Sequence, residues 1–261
     1  MSWEWARFEA KFDGVEIQRV AFITAAGTWS RPDQGFQADV ARALNDEQWQ
    51  WIPVDYPASF GPVNPPFPGA PSYVDSVRAG VDAVCAAIER HHGRFVLSGY
   101  SQGAEVVARV LIELADGRLR HRRGDCAGAV TFGDPARQHS DECYGGGTGR
   151  GISRLVLPQG FRRVTYAVVG DMYCTTPDTM AGDQMHAVYE ALTRLGTGRI
   201  DGHTALLAEV LRMLRDPVAG SVAAVDAIIR ALRVRQHTAY APWVPHAVAV
   251  ANRMASEAAS R

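Results

Sequence analysis

The chain has one lysine, Lys11, among its 261 residues, so nearly all of its positive charge is arginine. That imbalance reads as a coding bias and not as a binding signal. The formal net charge is -1, which argues against nucleic acid or an anionic membrane as a partner. No apolar stretch is long enough to span a bilayer, which excludes stable membrane insertion. Residues 1–18 mix charged and aromatic positions and lack the apolar centre of a secretory leader. Cysteine is sparse: Cys85, Cys126, Cys143 and Cys174 form no C-x-x-C pair, which rules out a zinc site of that type. Two disulfides are arithmetically possible, but four free thiols are at least as well expected without an export signal. Internal repeats and low-complexity linkers are missing too. With 47% apolar residues and this length, a single domain over 1–261 with ample core is expected.

What is present alternates. Residues 3–23 show apolar–polar alternation around Asp13-Gly14, a hairpin signal, and end in the apolar run Val20-Ala21-Phe22-Ile23. A loop at Ala26-Gly27-Thr28 follows, then a short helix over 36–45 and a strand over 49–54 placed near an edge by Pro53. Residues 56–71 form a proline-rich loop; loops of that length are usually functional or mobile. Ser72 and Asp75 resemble a capping box opening a helix that Gly93 closes. Further strands are expected over 95–97, 127–132 and 164–169. Residues 176–234 read as helical, with segments over 184–195, 204–214 and 218–234, and a last helix spans 247–255. Strands alternating with helices predict a doubly wound, mainly parallel sheet, here with a helical insertion at about 176–234.

One stretch organises the rest. Phe95 to Leu97 reads as a buried strand, Ala104 to Ile112 as a helix, and between them Gly99-Tyr100-Ser101-Gln102-Gly103 fits G-x-S-x-G. Strand, sharp turn and helix are the context of a nucleophile elbow. Ser101 would then stand at the C-terminal edge of the sheet, with the Gln102 amide free to donate to an oxyanion. The competing reading is a glycine-rich turn with an ordinary serine cap.

A serine nucleophile needs a base, and the base an orienting acid. Asp171 follows the strand over 164–169 directly, at the edge where Ser101 is expected; a turn aspartate is its alternative. Asp134, before Pro135, is a rival that looks more like a turn residue. Four histidines follow Asp171: His186, His203, His237 and His246. His203 looks like a helix start. His186 lies in a continuous amphipathic run, and His246 follows the proline of Trp243-Val244-Pro245-His246.

These residues carry a resemblance. Gly99 to Gly103 is the elbow typical of the cutinase branch of serine esterases, in the α/β-hydrolase fold. More specifically, the chain resembles the lysin B proteins of mycobacteriophages, which are mycolylarabinogalactan esterases. The likeness runs from about Val20 to the C-terminal region. It includes Ala38-Asp39-Val40-Ala41-Arg42, Phe132-Gly133-Asp134-Pro135-Ala136-Arg137-Gln138, Gly170-Asp171-Met172-Tyr173, the stretch around His186, and Trp243 to His246. It implies Ser101 as nucleophile, Asp171 as acid and His246 as base, with a helical segment before the base and no metal or organic cofactor. Plain cutinases place their histidine soon after the acid, which favours His186. The loop position of His246 and the lysin B likeness together select His246, with His186 second and His237 third. The second oxyanion donor is expected from Gly27 or Thr28, where the family often has His-Gly-Thr and this chain has Ala26-Gly27-Thr28. Other departures are the additional Val244 and the lack of an upstream cysteine to pair with Cys174. A separate peptidoglycan-binding module is not seen.

The expected function is therefore hydrolysis of the ester between mycolic acids and arabinogalactan, or of another lipid ester, in phage-mediated lysis. Synthesis in the host cytoplasm and action at the host envelope go with it. A general cutinase or lipase is the alternative, and a non-catalytic envelope-binding protein is the reading from another class. The oligomeric state is not encoded legibly. Residues 176–234 and the loop over 56–71 are the expected walls of an acyl groove.

Overall fold

Buried strands come first. In β1 (Val20–Ala25) every residue but the first is buried, the pattern of a strand covered by helices on both faces. β2 (Trp49–Val54) is buried only at its two ends and carries Pro53 opposite Thr24 of β1; a proline lacks the N–H that an interior strand must donate. The computed structural model describes residues 19–61, 70–194 and 235–259. Its six strands form one wholly parallel sheet, order β2-β1-β3-β4-β6-β5, with β3 Phe95–Tyr100, β4 Cys126–Phe132, β5 Glu142–Tyr144 and β6 Arg163–Tyr166. The hairpin expected around Asp13-Gly14, His203 and the helices expected over 204–214 and 218–234 lie outside the described residues.

Two helical layers cover the sheet. α1 (Phe36–Ala43) and α5 (Val244–Ala259) lie over Phe22, Val96, Phe132 and Tyr166. α2 (Tyr73–Arg90) and α3 (Gln102–Ala115) lie over Ile23, Phe95 and Leu97. Neighbouring residues of β3 thus feed opposite cores, as the strand period of two requires. α2 starts where its cap predicts: Ser72 Oγ accepts the Asp75 N–H at 3.0 Å. A further helix, α4 (Met180–Thr193), opens the segment read as helical. No helix among the described residues is long and apolar enough to cross a membrane.

The connections place the site. From β1 the chain steps outward to β2, then returns to the other side of β1 to lay down β3. The strand order therefore reverses between β1 and β3. In open parallel sheets such a switch point leaves a crevice at the C-terminal strand ends. Ala25-Ala26 and Tyr100-Ser101 flank it.

Three expectations change. β5 was not foreseen; it is a three-residue edge strand. β6 ends at Tyr166 instead of 169, and Val168 makes only an isolated bridge to Gly146. The last helix begins at Val244, not 247, because a proline fits the first turn of a helix, where its missing N–H has no partner to lose.

Under the sheet's edge one buried guanidinium serves two carboxylates. Arg163 on β6 meets Asp134 and Asp141 at 2.8 Å each, with all three side chains at most 5% exposed. Asp134 also accepts from Thr131 Oγ1 and the Ala136 N–H, so it fastens the turn after β4. Burial pushes the Asp141 carboxyl up to about 6, against the opposing pull of Arg163. A carboxyl raised in the folded state contributes stability that is complete below its unfolded value and fades as pH rises through the folded one. The Asp141→Asn protein should therefore gain on the wild type between about pH 4 and 7, by on the order of 3 kcal/mol. Urea titrations across that window check it; a constant difference would show that the carboxylate is fully compensated.

Candidate active site

Ser101 sits at φ 55° and ψ -120° between β3 and α3. A non-glycine residue holds that left-handed region only where its surroundings fix it. They do: the Ser101 N–H donates to Phe132 O at 2.9 Å, and Ser101 O accepts from the Ala104 and Glu105 N–H groups. The flanking glycines are spatial requirements. A Cβ on Gly99 would fall against the Gly103 carbonyl and 2.6 Å from Ala104 N, and one on Gly103 would meet the Ala25 carbonyl. The pattern G-x-S-x-G is thus a close crossing of α3 over β3 and β1.

Gln102 opens α3, so its N–H has no carbonyl one turn back to bond. Its fully buried side chain spans two elements, with Nε2 donating to Ser59 O at 2.8 Å and Oε1 accepting from Ser76 Oγ at 3.0 Å. The elbow is thereby tied to the start of the proline-rich loop. Thr28 lines the same cleft as Ser101, whereas Gly27 is not in its lining and accepts the Ser30 N–H in a turn.

The base expected at position 246 is not there. His237 stands at Ser101: its Nε2 lies 2.8 Å from Ser101 Oγ and its Nδ1 2.8 Å from Asp171 Oδ2. His246 lies in the first turn of α5, with Nδ1 2.9 Å from the Tyr166 hydroxyl and its ring 4.4 Å from that of Tyr144. Pro245 starts a helix instead of stiffening a loop, so His246 is packed at the β5–β6 edge. His186, on α4, has Nδ1 2.7 Å from Ile152 O. His237, ranked third by the sequence, lies in the short 3-10 turn Gln236–Thr238.

His237 is held on all sides. The Tyr100 ring packs on it at 5.1 Å and the Tyr173 ring at 4.7 Å. The Tyr100 hydroxyl donates to the carbonyl of His237 itself at 2.7 Å. Asp171 is fully buried. Its Oδ1 accepts the Tyr173 N–H at 3.1 Å, and its Oδ2 accepts from Tyr240 as well as facing His237. Burial pushes the Asp171 carboxyl up, but the His237 charge and hydrogen bonds from His237, Tyr240 and Cys174 outweigh it and hold it below its ordinary value. Asp134, the rival acid, is committed to Arg163.

Around Ser101 and His237 opens a cleft of about 230 Å³ with mainly aromatic walls: Trp29, Phe60, Tyr73, Tyr100 and Tyr173. Phe60 comes from the loop expected to wall the groove. From α4, Tyr189 stands behind Tyr73 and Tyr173 instead of in the lining. It is anchored by buried Glu105, which accepts from the Tyr73 and Tyr189 hydroxyls at 2.9 and 2.7 Å and pairs with Arg109 at 2.7 Å. The four cysteines are free thiols, and Cys174 is fully buried beside Asp171.

The family model for cutinases matches residues 18–194. Endolysin B of Mycobacterium phage D29 is 31% identical over 236 residues, covering 80% of this chain and 87% of its own. Endolysin B of Mycobacterium phage L5 is 30% identical over 250 residues, covering 86% and 92%. The crystal structure of lysin B from Mycobacteriophage D29 superposes with a TM-score of 0.62 at 27% identity, covering 83% of this chain and 89% of that one.

Proposed function

The chain belongs to the cutinase family of serine ester hydrolases and is a phage lysin esterase of the lysin B type, and from that premise we propose that Ser101, His237 and Asp171 are its catalytic triad and a mycolic acid ester of arabinogalactan its substrate. The observation that carries the reading is the unbroken line from Ser101 Oγ through His237 to buried Asp171 at the floor of an aromatic cleft. Ser101 attacks the acyl carbonyl while His237 Nε2 takes its proton. Asp171 fixes the tautomer with the proton on Nδ1 and stabilises the imidazolium. The Gln102 amide and Thr28 receive the oxyanion; one such donor contributes on the order of 3 kcal/mol to the transition state. His237 returns the proton to the leaving sugar oxygen, and water then cleaves the acyl-enzyme with His237 again as base. The lipid ester places the enzyme's action at the host envelope.

Incubation of the protein with mycolyl-arabinogalactan-peptidoglycan should release free mycolic acids, and a fluorophosphonate probe should label Ser101. The Ser101→Ala protein should fold normally, take no label and release nothing. Hydrolysis of p-nitrophenyl esters without release of mycolic acids would leave a general cutinase; mycolic acid release by Ser101→Ala would sink the triad.

A further inference from the structure

His237 and Tyr240 belong to one short loop, and both reach the same oxygen of Asp171. We propose that Tyr240 is a positioning residue of this active site, whose hydroxyl, donated to Asp171 Oδ2, fixes the carboxylate and limits how tightly it holds the imidazolium. This rests on the triad reading above.

The direction of the bond follows from the chemistry. An ionised carboxylate only accepts, so the single phenol proton goes to Asp171. The phenol oxygen in turn accepts the Val168 N–H at 3.5 Å, and Cys174 Sγ lies 3.4 Å away. Val168 leads out of β6 toward Asp171. The hydroxyl therefore bridges the base of the acid's turn to its tip, while the same loop presents His237. Tyr240 is fully buried, its ring edge-on to Phe36 at 5.6 Å and to Phe132 at 6.0 Å. A ring so placed holds its hydroxyl against Asp171.

A carboxylate that shares its charge with a phenol is a weaker partner for an imidazolium. Removing the phenol proton concentrates charge on Oδ2, so the base holds its proton up to a higher pH. The other groups facing this pair stay neutral in an assay from about pH 5 to 9. Burial raises Tyr100, Tyr240 and Cys174, and pushes Tyr173 up to about 12. Arg137 reaches the turn that carries Asp171, where it spends its Nε on the Cys174 carbonyl at 2.6 Å.

The test is the pH profile of p-nitrophenyl ester hydrolysis by the wild type, by Tyr240→Phe, and by protein carrying 3-fluorotyrosine in place of Tyr240, which donates more strongly. Tyr240→Phe should move the acid limb of kcat/KM up by roughly 0.5 to 1 pH unit and lower kcat on the order of tenfold, with KM within about twofold. Fluorotyrosine should move the limb down, and it decides the matter alone if Tyr240→Phe does not fold. Superimposable profiles would overturn the proposal, even with a lowered melting temperature, because that is all a packing role would produce. Wild type that takes no fluorophosphonate at Ser101 would instead overturn the triad and this inference with it.

Discussion

His237→Ala should lower kcat for ester hydrolysis by roughly four to six orders of magnitude, whereas His246→Ala should leave kcat/KM within about fivefold of wild type. The first change removes the group 2.8 Å from both Ser101 Oγ and Asp171 Oδ2. Ser101 then has no acceptor for its proton, and Asp171 is left buried without the ring N–H it accepts. The second removes one hydrogen bond to the Tyr166 hydroxyl and a ring contact with Tyr144. That should cost about 1–2 kcal/mol of stability, read as a lower melting temperature with the rate intact. Steady-state kinetics of the two purified variants checks both halves. Equal losses would mean that the α5 histidine reaches the site by a route the geometry does not provide.

The contrast also explains what the sequence could and could not reveal. The elbow was legible because its requirements are local: Gly99 and Gly103 sit where β-carbons would strike backbone, and the strand and helix flank them within a few residues. Asp171 was legible for a similar reason, since a parallel strand delivers the residues after it to the same edge as Ser101. The histidine beside Ser101 was not. It stands 66 residues beyond Asp171, and nothing local distinguishes a loop histidine that returns to the site from one that does not. Pro245 misled because the same residue stiffens a loop or opens a helix, and the packing of α5 on Phe132 and Tyr166 decides between them. Tyr240 was invisible because its role depends on a carboxylate far away in the chain. β5 was missed because three residues, Glu142 among them, carry too little pattern; what makes them a strand is pairing with β6. From the proline-rich loop, Phe60 lines the cleft beside Ser101.

Gly103→Ala should destabilise the fold by about 3 kcal/mol or more and abolish activity together with it. The added methyl would lie against the Ala25 carbonyl oxygen and 2.5 Å from both the Ala25 carbonyl carbon and the Ala26 oxygen. These are main-chain atoms at the end of a central strand, so no side chain can rotate to make room. Either β1 parts from β3 or the first turn of α3 lifts off the sheet. Ser101 and Gln102 are carried on that turn, so a displacement that relieves the clash also moves the nucleophile and the oxyanion amide out of line with His237. Gly124→Ala supplies the control. Nothing lies within 4 Å of its added carbon and its φ is not positive, so its stability should match or slightly exceed the wild type's. Chemical denaturation measures the first effect, and ester hydrolysis by whatever folded Gly103→Ala protein remains measures the second. A Gly103→Ala protein with wild-type stability and rate would mean that α3 does not approach β1 as closely as the elbow requires, and the strained backbone at Ser101 would then have no structural cause.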